Sequence, residues 1–264
     1  MPRKHLNQSE ILRNFGGIAQ NDLNKILPSI DIECDVNISS FSPYVSELQL
    51  PQYVNTLKDN LSVLTLNCQS LNAKFDKLQV MIQNLIHENK LQFSIILLQE
   101  TWLKPSDEFE KILSTFNIPG YKKPFGIPAS CSNHGGLVCF VKETLEASVC
   151  YKHITSNFWE GIFLRITGKS IKPTLVGNIY RPPRNNNNNR VVDDFLHEFL
   201  PTISKLSEKY TSAILSGDFN INLLKINERE KYALFLDSML SLGFVPKINL
   251  PTRFSKNSAS LLDR

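Results

Sequence analysis

An α/β fold with a mixed β-sheet is what this sequence predicts. Four short apolar runs, SVLTL, FSIILLQ, TLVGNI and SAILSG, are rich in Val, Ile, Leu or Phe, the composition of buried strands. Stretches with apolar residues at helical spacing lie between several of them. From Gly136 to Tyr180 the strand-like runs follow one another so closely that antiparallel pairing within the sheet is indicated.

The elements follow in order. Residues 1–57 lack sustained periodicity and are rich in Asn, Ser, Asp and Pro; they read as an irregular leader with one short helix near Ile11–Phe15. Strand–helix alternation begins near Leu61, so one domain is expected over 58–264. After Asn67, the residues Phe75, Leu78, Ile82, Leu85 and Ile86 fall on one helical face. The strand ending at Glu100 comes next, then a short helix from Asp107 to Phe116, stopped before Pro119-Gly120. Strand-like runs at Gly136–Val141, Ala147–Tyr151, Gly161–Ile166 and Thr174–Tyr180 end at Pro182-Pro183. Five consecutive asparagines, Asn185 to Asn189, predict a mobile loop. A helix then carries Val192, Phe195, Leu196, Phe199, Ile203 and Leu206, with Pro201 as a kink point. The strand to Asp218 precedes a helix from Glu228 to Leu242, with Gly243 as its C-cap. The tail, NLPTRFSKNSASLLDR, opens one more strand-like run.

Composition narrows the class. At 264 residues, with 42% hydrophobic and 20% charged content, the chain reads as one large soluble domain with an extension. A net charge of +4 permits an anionic partner without demanding one. The five cysteines are odd in number and form no CxxC pair, which favours reduced thiols over a disulfide framework or zinc site. No apolar segment follows MPRKHLNQSE and no stretch approaches the length of a membrane span, so an intracellular location is expected.

The four runs share a property that bears on chemistry. They end at Asn67, Glu100, Tyr180 and Asp218, with Asn220 just beyond. Reacting groups in α/β sheets gather outside the carboxyl ends of strands. Glu100 is the main metal candidate, because magnesium keeps several waters and takes only one or two protein carboxylates. Asp218, in GDFN, has the chemistry to accept a proton from water while Asn220 donates to a phosphate oxygen. Asn67 is placed to orient a metal ligand, and Tyr180 to hydrogen-bond phosphate. Each has a plainer reading in isolation: a solvated strand cap, an Asx turn, a turn residue, an aromatic packed on Pro182-Pro183. Arg181, Arg184 and Arg190 surround one loop and suit a nucleic-acid backbone, a solvated basic loop being an equal alternative. His134, before Gly135-Gly136, is a further candidate for substrate contact. No GxxxxGK[ST] loop and no Ser/His/Asp motif is present.

The order of the blocks LNCQSLNAKFDKL, LLQETWL, HGGLVCFVK, VGNIYRPP, LSGDFNINLL and LPTRFSKNSASLLD resembles the endonuclease domain of non-LTR (LINE-type) retrotransposons, within the apurinic-endonuclease-like endonuclease/exonuclease/phosphatase superfamily. The resemblance covers about residues 58–264. It implies a four-layer sandwich of two packed mixed β-sheets flanked by helices, a magnesium or manganese ion, and hydrolysis of a DNA phosphodiester that primes reverse transcription. By motif it assigns Asn67 and Glu100 to the metal, Tyr180 to the phosphate, Asp218 and Asn220 to water and phosphate, and Asp263 to the family's LLD block. The family's Ser-Asp-His block has no match in these residues, and none of His5, His87, His134, His153 and His197 replaces it by motif. The last strands and full activity are therefore expected to be missing, as is the reverse transcriptase of an intact element. A non-catalytic remnant that binds nucleic acid is the alternative. A phosphatase of small phosphoesters shares the superfamily site, but ETWL and YRPP argue against it. Glu100 and Asp218 are expected in one cleft, with DNA binding salt-sensitive and location nuclear.

Overall fold

The computed structural model describes residues 44–46, 49–50, 61–130, 134–154, 158–183, 190–255 and 258–261. The helix expected near Ile11–Phe15, the asparagine run, Arg184 and Asp263 lie outside the described residues. So does most of the leader. The short described pieces near its end meet the domain: the Tyr44 hydroxyl donates to Pro251 O at 2.7 Å, and Leu50 packs on the core.

One sheet contains β1 (Val63–Asn67), β2 (Ile95–Gln99), β3 (Phe125–Ile127) and β4 (Leu137–Val141), in the order β1-β2-β4-β3. The second contains β5 (Glu146–Ile154), β6 (Glu160–Gly168), β7 (Ile171–Tyr180) and β8 (Ser212–Asp218), in chain order. Both are mixed. β1 runs parallel to β2 and β7 parallel to β8, while the other pairs are antiparallel. β3 was not expected, because Pro124 and Pro128 bracket its three residues and break the strand signal. The tail forms a hairpin, β9 (Arg253–Ser255) with β10 (Ser258–Ser260), rather than one strand.

Strand alternation explains the layers. On β2, Ile95 and Leu97 face the second sheet, packing with Ile162, Leu164, Ile166 and Val176. Ile96 and Leu98 face outward with Val138 and Phe140, beneath α1 (Leu71–His87) and α2 (Phe109–Leu113). On the other side Phe163, Leu175 and Ile179 meet α3 (Arg190–Ser207) and α4 (Glu230–Ser241) through Phe195, Phe199, Phe235 and Met239. Two packed mixed sheets flanked by helices result. α3 continues past Pro201, and α4 is followed by Gly243 at φ +82°. α2 is shorter than expected: Ser114 Oγ and Thr115 Oγ1 each donate to a carbonyl three residues back, closing its last turn. Cys68 and Cys139 are buried, as expected of core residues, and burial pushes each thiol up to about 12. No helix among the described residues is long and apolar enough to cross a membrane.

Candidate active site

Parallel pairing brings the strand ends together. Asn67 is in register with Gln99 on the first sheet, and Tyr180 with Asp218 on the second. Asn67 Nδ2 donates to Glu100 Oε1 at 2.7 Å and to Asp218 Oδ2 at 2.9 Å. Two bonds from one nitrogen hold the two carboxylates as near neighbours, close enough to serve one metal-and-water site. Glu100 is 8% exposed and Asp218 fully buried.

Local backbone conformation creates this meeting. Following the alternation of Ile96 and Leu98, Glu100 would face the outer helices, but its φ of +51° redirects it. The non-glycine residues at positive φ are Gln69, Ser70, Lys90, Glu100, Trp102 and Asn220. All but Lys90 lie just past the ends of β1, β2 and β8, and such conformations gather where a surrounding structure enforces them for function. The 100–102 segment is held from both sides: Ser70 N and Leu71 N donate to its carbonyls, while Thr101 N and Trp102 N donate to Gly136 O and Gly135 O. Gly217, before Asp218, has no room for a side chain, since a Cβ there would lie 1.8 Å from Ile179 O.

Donors converge on Asp218. Oδ2 receives Asn67 Nδ2 and the Arg253 guanidinium at 2.5 Å, and Oδ1 receives Asn220 N at 3.1 Å. Tyr180 Oη is buried against the Glu100 carboxylate without completing a hydrogen bond. Burial first, then the charges of Glu100, Asp218 and Glu160, push this phenol far up, so it stays protonated and can donate. Asn67 Oδ1 is also buried without a partner. No group of three or more His, Cys, Asp or Glu side chains able to hold a metal occurs among the described residues. The Glu100 carboxylate and the orphaned Asn67 oxygen are nonetheless the hard oxygen donors that a heavily hydrated divalent cation accepts.

Some expectations need correction. Arg181 is not a surface contact for nucleic acid: it is 2% exposed, and its guanidinium donates to Phe219 O and Asn220 O and lies 5.5 Å from the Phe195 ring centroid. Its aliphatic stem and planar head fill core space that a loop reading could not anticipate. Asn220 Nδ2 donates to Arg181 O at 2.6 Å, so one of its amide hydrogens is committed to the loop rather than to substrate. His134 is exposed, and Arg190 stands at the start of α3.

Sequence reasoning missed Glu160, Gln99, Asn178 and Arg253. Glu160 is 1% exposed; its Oε1 accepts Ser130 N and Oγ, and its Oε2 accepts Gly136 N at 2.6 Å. It thereby clamps the loop that holds residues 101 and 102. The available signal was an acid opening an otherwise apolar strand, EGIFL.

Solved structures with similar folds include the AP endonuclease LMAP from Leishmania major, at 15% identity, 98% coverage of this chain, 89% of that one and a TM-score of 0.55. Another is the 3′ phosphatase NExo from Neisseria bound to product DNA hairpin, at 14% identity, 77% and 86% coverage and a TM-score of 0.50. No curated protein matches the chain. The description Endonuclease/Exonuclease/phosphatase family matches residues 64–264, from the first strand onward. With both sheets and the Asn67–Glu100–Asp218 cluster inside that match, the chain belongs to the endonuclease/exonuclease/phosphatase family.

Proposed function

We propose that this chain is a retrotransposon-derived, metal-dependent DNA endonuclease domain that hydrolyses a phosphodiester and leaves a 3′-hydroxyl for reverse transcription. One observation carries the reading: a single amide, Asn67, joins carboxylates from both sheets into one buried cluster. Glu100 and Asn67 would hold magnesium or manganese, which when bound supplies positive charge to the phosphate oxygens. Asp218 accepts the proton of the attacking water, oriented by Asn220 N, and Tyr180 donates to phosphate from its protonated state. Asp263 stands in the LLD block, and its role rests on the motif alone. DNA of the nucleus is the partner, and an intact element would add a reverse transcriptase.

The contact of Arg253 with Asp218 Oδ2 favours the second reading, a nucleic-acid-binding remnant, because it occupies the proposed base. Relaxation of supercoiled plasmid separates the two. Magnesium-dependent nicking that Glu100→Ala and Asp218→Ala both abolish supports the endonuclease. Nicking unchanged by chelator and by both substitutions overturns it.

A further inference from the structure

Trp102 is a large aromatic placed where burial does not explain it. It is 38% exposed, between Thr101 at 1% and Leu103 at 3%. Its φ is +58°, a conformation rare for bulky residues and costing on the order of 1 kcal/mol or more. The backbone around it is fixed: Thr101 N and Trp102 N bond to Gly136 O and Gly135 O, and Ala129 N donates to Leu103 O at 2.7 Å. Folding thus holds an indole at the surface on a rigid, strained loop. That loop begins at Glu100, and its α-carbons at 100 and 102 are at most about 7.6 Å apart, near two stacked base steps. Exposed cations flank the same segment, with Lys104 two residues on and Lys74 close enough for its charge to act on the Cys68 thiol.

We propose that Trp102 is a stacking platform for an unpaired nucleobase beside the phosphodiester engaged at Glu100, and that the chain prefers strands with exposed bases over continuous duplex. The proposal rests on the nucleic-acid reading of the site and adds its substrate class. The physical basis is that every base has an apolar π-face, and stacking on an aromatic side chain is sequence-tolerant and substantial. A rigid indole loses little freedom on contact, so more of that stacking appears as affinity. Backbone phosphates contribute charge attraction but cannot use the ring.

The test uses fluorescence, since the chain has two tryptophans and the other, Trp159, is fully buried among Phe163, Phe195 and Phe199. In a Trp159→Phe background, Trp102 emission is titrated with a mixed-sequence single strand, its duplex, and an abasic strand of equal length. The expected result is quenching by the base-bearing strand and weaker binding of the other two. Trp102→Ala should lose about five- to hundredfold affinity for the base-bearing strand and little for the abasic one. Trp102→Phe should retain most of it. If Trp159→Phe does not fold, the difference between wild type and Trp102→Ala reports the same signal. Equal affinity of wild type and Trp102→Ala for base-bearing DNA, or equal quenching by the abasic strand, overturns the platform. A failed platform beside nicking that depends on Glu100 leaves the endonuclease reading standing. Stacking on Trp102 with nicking indifferent to Glu100→Ala keeps the platform and removes the endonuclease.

Discussion

Gln99 and Asn178 are joined across the two sheets by a 2.6 Å hydrogen bond, with both side chains buried. They continue the inward-facing sets of β2 and β7, so an apolar interlayer ends in a polar clasp just below Glu100 and Tyr180. Asn178 Nδ2 also reaches Leu98 O and Val138 O, and Gln99 Nε2 reaches Thr65 Oγ1. Replacing either alone by Leu should cost about 1–3 kcal/mol, because the remaining amide is stranded away from water. The double replacement should cost less than the sum, giving a coupling of about 1 kcal/mol in urea unfolding. Simple additivity would mean the clasp is not a unit.

Asn67→Ala should destabilise the fold by about 1–3 kcal/mol, since it removes one donor from each of two buried carboxylates. Added magnesium should stabilise wild type more than the variant, because the variant also loses the Asn67 oxygen. Urea midpoints with and without the ion measure both effects. Identical magnesium responses would argue against Asn67 as a cation contact.

Arg253→Met should lower stability by about 1–3 kcal/mol, because Asp218 is fully buried and loses a charged donor to its Oδ2. The figure is discounted from that of a fully buried pair, as Arg253 itself is 39% exposed. An unchanged unfolding midpoint would show that the contact contributes nothing.

Glu160 gives the pH dependence a sign. Burial pushes its carboxyl up, against the Ser130 and Gly136 donors that favour the charged form. The folded state therefore holds the proton to higher pH than the unfolded chain. Stability contributed by this group is greatest below its unfolded value and falls as pH rises toward its folded value. Glu160→Gln should remove that decline from urea midpoints taken across about pH 4–8. Parallel pH profiles for wild type and variant would refute the assignment.

Gly217→Ala should leave no soluble folded protein, or cost more than about 4 kcal/mol, because Ile179 O belongs to the paired strand β7 and cannot retreat. A variant with wild-type thermal unfolding would contradict this.

Strand identity and the polar residues at strand ends were legible in the sequence because both are local. Apolar runs such as FSIILLQ encode a buried strand wherever they pair, and Asn67, Glu100, Tyr180 and Asp218 follow directly from where those runs stop. The order of the motif blocks pointed to the endonuclease/exonuclease/phosphatase family, which the match over residues 64–264 shows. What the sequence could not decide depends on contacts between distant segments. Arg181 looks like a loop cation until Phe195 and the Phe219–Asn220 carbonyls close around it. Glu160 and Asn178 acquire meaning only when β6 and β7 place them against the Gly136 loop and Gln99. The left-handed turn at Glu100, which sets it against Asn67 and Asp218, is enforced by hydrogen bonds to segments around residues 70 and 135, and no local propensity of Glu would select it.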